Sequence, residues 1–171
     1  MKIETLDEKT EQKPQNPEQK KKGAFVDPFM DDPRIKNPLA DTPVIHRYLA
    51  NQKIIEELSK NHILEVYNEL LIAASCIANR SPEFSLDFMV TDIPPFKEAE
   101  DEIYSTSLWC LSKLHRRLPD MIIIAYTIAP NSICQRCLAE KIVDYVVLRK
   151  DYNTSAGICK LKKLIEDGQN A

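Results

Sequence analysis

The chain has 171 residues, three glycines and a formal net charge of -3, enough for one domain with a core and too little glycine for a Gly-rich phosphate loop or an all-β fold. The charge balance excludes a strongly basic nucleic-acid binder and leaves only local basic clusters, so a nucleic-acid partner stays open. No apolar run reaches the length of a membrane span and Met1 to Gln12 is charged, so no membrane partner is expected and the location expected is cytoplasmic, the nucleus included.

Residues 1–23 alternate Lys, Glu, Gln and Pro with almost no large apolar side chain. Burial could not repay the entropy of ordering them, and a disordered tail is predicted. Residues 24–43 keep the prolines (Pro28, Pro33, Pro38, Pro43) but set Phe25, Val26, Phe29, Met30, Ile35 and Leu39 among them. Such spacing forbids a regular helix and predicts an extended arm. The arm either covers an apolar face of its own domain or docks on another protein, which makes those six side chains the candidate partner-binding residues.

The folded domain is expected over residues 44–171. Ile45, Tyr48, Leu49, Ile54, Ile55 and Leu58 mark a first helix ending near Lys60. Ile63, Val66, Tyr67, Leu70, Leu71, Ala74 and Ile77 recur at helical intervals behind Asn61, predicting one amphipathic helix to about Arg80. Leu86 to Thr91 reads as a strand, Ile103 to Leu118 as a helix, and the apolar run Met121 to Ile128 as a central strand. Cys134 to Ile142 fits a short helix, Tyr145 to Leu148 a strand, and Ala156 to Ile165 a last helix closed by Gly168. Helices alternating with strands predict an α/β layered domain with a mostly parallel central sheet.

The five cysteines, Cys76, Cys110, Cys134, Cys137 and Cys159, are odd in number and are expected to be reduced. Cys134-Gln135-Arg136-Cys137 stands after a strand and at the start of a helix. The pair is a candidate metal site, two ordinary buried thiols, or a redox pair of thioredoxin type, the last disfavoured because no proline follows Pro130. His46, His62 and His115 share no ligand spacing and are expected to face solvent. Lys113, His115, Arg116 and Arg117 form a basic run that fits a solvated helix face better than a phosphate contact. Trp109 is expected as an apolar plug or an interface anchor.

The strand Met121 to Ile128 followed by the C-x-x-C helix, with Val146-Val147-Leu148 and the helix to Gly168 beyond it, resembles the cytidine and deoxycytidylate deaminases over about two-thirds of the chain. The resemblance implies a deaminase-like fold with Cys134 and Cys137 as zinc ligands. The paired His and Glu of that chemistry are absent, since the matching stretch is Glu102-Ile103-Tyr104-Ser105-Thr106-Ser107-Leu108. Without the carboxylate no group moves the proton. The resemblance therefore implies a non-catalytic deaminase-fold subunit that needs no cofactor and acts through a protein partner in a homo- or hetero-oligomer. The alternative is a divergent zinc-dependent deaminase of nucleotides or nucleic acid; whether the chain is an enzyme stays open, leaning against.

Overall fold

The computed structural model describes residues 20–93, 102–149 and 154–168. Eleven elements organise it: β1 Lys22–Val26, α1 Pro33–Lys36, α2 Thr42–Ser59, β2 Ile63–Tyr67, α3 Leu70–Ala78, β3 Phe88–Thr91, α4 Glu102–Arg117, β4 Ile122–Thr127, α5 Asn131–Ala139, β5 Tyr145–Leu148 and α6 Thr154–Asp167. The strands form one sheet in the order β2-β1-β3-β4-β5, and every neighbouring pair is parallel.

Alternation along the strands sorts the core into two layers. Phe25, Phe88, Val90, Ile122, Ile124 and Tyr126 pack under Ile54 and Leu58 of α2 and Ile158, Leu161 and Ile165 of α6. Ala24, Val26, Met89, Ile123 and Ala125 pack under α3, α4 and α5. The sheet is thus covered on both faces, which is why all six residues of β4 are buried. The α/β class, the parallel sheet and the inner place of Met121 to Ile128 are as the sequence led one to expect.

Within the expected extended arm Pro33–Lys36 form the short helix α1, which the proline tolerates because it stands in the first turn, and two further segments differ from the sequence expectation. Lys22 and Gly23, assigned to the tail, and Ala24 to Val26, assigned to the arm, form the central strand β1; of the rest of the tail, Lys20 and Lys21 are described and residues 1–19 lie outside the described residues. Phe25 and Val26 are buried, so they offer no surface to a partner. The run expected as one helix from Ile63 splits into β2 and α3 at Asn68-Glu69, where Glu69 is extended. Both departures have one cause: β1 has two sides to satisfy, and it pairs with β2 through Phe25 opposite Val66 and with β3 through Phe25 opposite Val90. Non-local strand pairing overrides local helical spacing.

His62, expected in solvent, is buried edge-on against Phe88 with ring centroids 5.3 Å apart. Neither ring nitrogen has a partner among the described residues, and burial lowers the pKa below the ordinary imidazole value. The unfolded chain therefore takes up the proton first as pH falls. His62 contributes stability above an unfolded pKa of about 6.5 that is lost as pH drops towards the lower folded value, about 1.4 kcal/mol for each pKa unit of separation. Urea titrations between pH 8 and about pH 5 should show a steeper decline for the natural chain than for His62→Leu. Parallel curves would refute the assignment.

Candidate functional site

In a parallel sheet all carboxyl ends lie on one edge, and ligands of open α/β sheets bind there, where the strand order reverses. Here the reversal lies between β1 and β3, and the residues that end these strands are polar: Asp27 follows β1, Asp92 follows β3, Thr127 ends β4 and Arg149 follows β5. All four lie at the end of short apolar runs.

Asp27 is fully buried. Its Oδ1 accepts the Phe29 backbone N–H at 2.9 Å, which fixes the turn out of β1. Its Oδ2 accepts from two guanidiniums, Arg47 Nη2 at 3.1 Å and Arg149 Nη2 at 3.0 Å. Arg47, from the first half of α2, also donates through Nη2 to Oδ2 of Asp92, so one guanidinium joins the two central carboxylates. Arg149 reaches in from the far side, donating through Nη1 to Asn51 Oδ1 at 2.9 Å. Asn51 in turn donates to the Phe29 carbonyl at 3.1 Å. Phe29 and Tyr126 cover the two arginines, with ring centroids 4.7 Å from the Arg47 guanidinium carbon and 4.5 Å from that of Arg149. Thr127 donates to the Ile93 carbonyl at 2.8 Å and accepts from Ala129 N at 3.0 Å, locking the loop after β4.

Burial raises the Asp92 pKa above the ordinary carboxylate value; Arg47 opposes the rise and Asp27 adds to it. Burial works against the Arg47 charge, but the attraction of Asp92 and Asp27 outweighs it and raises the pKa. For Arg149 burial prevails and the pKa is lowered. Two carboxylates and two guanidiniums thus form a charge-compensated quartet, in which Arg47 Nε, Arg149 Nε and Asp92 Oδ1 find no partner among the described residues. A cleft of about 480 Å³ opens beside it, walled by Phe29, Val44, His46, Tyr126 and Ile128.

Comparison of this architecture with solved structures is decisive about the fold. A CheY-like response regulator receiver domain protein from Methanospirillum hungatei JF-1 superposes with a TM-score of 0.57 at 16% identity, covering 89% of this chain and 98% of that one. The signal receiver domain of an HD domain-containing protein from Pseudomonas fluorescens Pf-5 gives 0.56 at 14% identity over 90% and 100% of the two chains. A Burkholderia pseudomallei response regulator with a phosphorylated aspartic acid, a calcium ion and citrate gives 0.52 at 14% identity over 88% and 71%. The fold is that of receiver domains. No family model matches the chain, and no curated relative does.

The receiver fold corrects the resemblance to cytidine and deoxycytidylate deaminases. Neither a non-catalytic deaminase-fold subunit nor a divergent zinc deaminase describes this chain, and a degenerate deaminase was the wrong description of its missing His and Glu. A strand followed by a short helix is common to both layered folds, and two cysteines at that junction supplied the false match. Cys134 and Cys137 are buried among the apolar side chains of α5, with Cys134 Sγ 3.5 Å from the Ala129 carbonyl. Burial, with the neighbouring Cys134 thiol, pushes Cys137 up to about 11. Among the described residues no group of three His, Cys, Asp or Glu side chains is placed to hold a metal.

Of the other residues singled out for partner binding, Phe29 covers Arg47 and Met30 is half-buried, while Ile35 and Leu39 are 82% and 89% exposed. The members of the charge quartet are far apart in sequence, so no local motif marks it. The legible signal was shared by three of them, a charged residue directly after an apolar strand, as in Ala24-Phe25-Val26-Asp27 and Val146-Val147-Leu148-Arg149, whereas Arg47 lies inside α2 and carries no such mark.

Proposed function

We propose that the chain is a receiver-type regulatory domain that works through a protein partner and whose acidic centre is held by its own arginines instead of a bound cation. One observation carries this: Arg47 Nη2 joins Asp27 and Asp92, while Arg149 Nη2 donates to the same Oδ2 of Asp27. The Burkholderia regulator of the same fold carries a phosphorylated aspartic acid and a calcium ion. Among the described residues an aspartate serving that purpose here would be Asp27 or Asp92, the two that follow the central strands. Calcium takes six to eight oxygen ligands and magnesium six. The Oδ2 atoms of both carboxylates are already taken by guanidinium nitrogens, so a divalent cation would have to displace the chain's own positive charges, and the residues present do not fit one. Asp92 is also buried, and its Oδ2 is held by Arg47. The consequence is a domain in one conformational state, read by its partner without a covalent signal.

Beryllium fluoride with magnesium, and acetyl phosphate with magnesium, are the probes. Neither should change the amide NMR spectrum or the intact mass of the natural chain, and millimolar magnesium or calcium should leave the melting temperature unmoved. Opening the centre with Arg47→Ser and Arg149→Lys together should create a cation-dependent rise in melting temperature. A beryllium fluoride response in the natural chain, abolished by Asp92→Asn, would overturn the proposal. The described helices include none long and apolar enough to cross a membrane.

A further inference from the structure

The solvent side of α3 and α4 is unusual for a helical surface. The sequence of α3, Leu70-Leu71-Ile72-Ala73-Ala74-Ser75-Cys76-Ile77-Ala78, contains no charged residue, yet Leu71 is 52% and Ile72 49% exposed, with Ser75 and Cys76 beside them. On α4, Trp109, Lys113 and Arg116 follow one another on the same face at helical spacing, and Trp109 is 62% exposed. The expectation of a buried plug at Trp109 is thereby corrected, and the expectation of an anchor is left standing. The Lys113 ammonium lies 5.6 Å from the Trp109 ring centroid.

Between the two helices runs a groove of about 500 Å³. Its floor is small and apolar, formed by Ala74, Ala78 and Leu114, and its far rim is basic, formed by Lys113, Arg116 and Arg117. No acidic residue lines it, and none of the three basic side chains forms an ion pair with a described carboxylate. The groove shares no residue with the charge quartet.

We infer that this groove docks an amphipathic helix of a partner protein, one that carries Asp or Glu beside its apolar stripe. The small floor leaves room for inserted Leu-sized side chains, Trp109 supplies the aromatic anchor, and the basic rim complements acidic flanks. Phosphates of a nucleic acid would gain nothing from Leu71, Ala74 and Ala78. A second copy of the chain in a two-fold contact would bring its own Lys113, Arg116 and Arg117 against the same three charges. The inference deepens the regulatory reading by naming where its partner binds, and it is independent of whether the acidic centre responds to beryllium fluoride.

A display library of amphipathic helices with randomised flanking charge is selected on the full chain, and the best binder is synthesised and titrated. Trp109, the single tryptophan of the chain, reports the contact by its emission. Enriched helices should carry net negative charge, shift the Trp109 emission to the blue on saturation, and bind about ten-fold more weakly at 0.5 M than at 0.1 M salt. Arg116→Glu with Arg117→Glu should weaken binding by at least about ten-fold at unchanged melting temperature, and Leu71→Asp should do the same from the apolar rim. Failure to enrich any helix, enrichment of neutral or basic helices, or binding indifferent to these substitutions would overturn the inference. So would a Trp109 response to duplex DNA in place of the helix, or concentration-dependent self-association removed by the arginine substitutions.

Discussion

Asp27→Ala should destabilise the fold by about 3–5 kcal/mol, the cost of breaking a buried charge network by removing one partner. The carboxylate is fully buried, and both arginines converge on one of its oxygens. Without it Arg149 keeps only the neutral Asn51 oxygen, and Arg47 keeps only Asp92. The Phe29 N–H loses its acceptor as well, so the turn that leads from β1 into α2 loosens together with the site. Arg149→Met in the same chain should restore part of the loss, because replacing a charge is less costly than stranding it. Urea unfolding followed by far-UV circular dichroism measures both variants against the natural chain. A loss below about 1 kcal/mol for Asp27→Ala would mean that the quartet is solvated and weak.

Phe88→Ala should cost a similar amount, about 3–5 kcal/mol, through the cavity it leaves under α2 and α6. The more informative experiment pairs it with Gly23. These two residues are register partners on β1 and β3, and a Cβ at Gly23 would come within 2.2 Å of the Phe88 ring. In the natural chain Gly23→Ala therefore overpacks the sheet and should cost about 1–3 kcal/mol. In the Phe88→Ala background the clash is gone, and the same substitution should become neutral or favourable, since alanine in a strand loses less backbone entropy than glycine. A coupling energy near zero in this cycle would show that the ring is free to move aside.

The class of fold was legible because its strongest signals are local. The unbroken run Ile122 to Tyr126 reports cover on both faces of a strand, and the stripes of α2, α4 and α6 report helices packed on one side. β1 was hidden by composition: Lys22 to Val26 is short, lies next to a run of prolines and has no alternation with a partner nearby in sequence. β2 was hidden by coincidence, since Ile63, Val66 and Tyr67 also fit a helical stripe that α3 continues. Whether either segment is a strand depends on the other, and neither carries that information alone. The site suffered the same way. Asp27, Arg47, Asp92 and Arg149 belong to four elements and meet only when the sheet is assembled, whereas the C-x-x-C pair is compact in sequence and drew the attention that long-range contact had earned elsewhere. His62 was misjudged because an isolated imidazole carries no sign of what will stack on it.

The central position of β1 also dictates an order of events during folding. This strand leaves the ribosome before every other described element, but its partners lie at Ile63 to Tyr67 and Phe88 to Thr91, so it must wait unpaired while α2 and both neighbours are made. All four strand pairings join segments separated by a helical crossover, and such topology folds slowly, on the order of milliseconds to seconds. During that interval Phe25 and Val26 are an exposed apolar segment, and Lys20 and Lys21 before it, with Lys22 at its first position, stand where gatekeepers against premature association are placed. Lys22→Gln should therefore lower the yield of refolding more than it lowers the stability of the folded product, whereas Lys21→Gln also removes the hydrogen bond its ammonium gives to the Ile165 carbonyl.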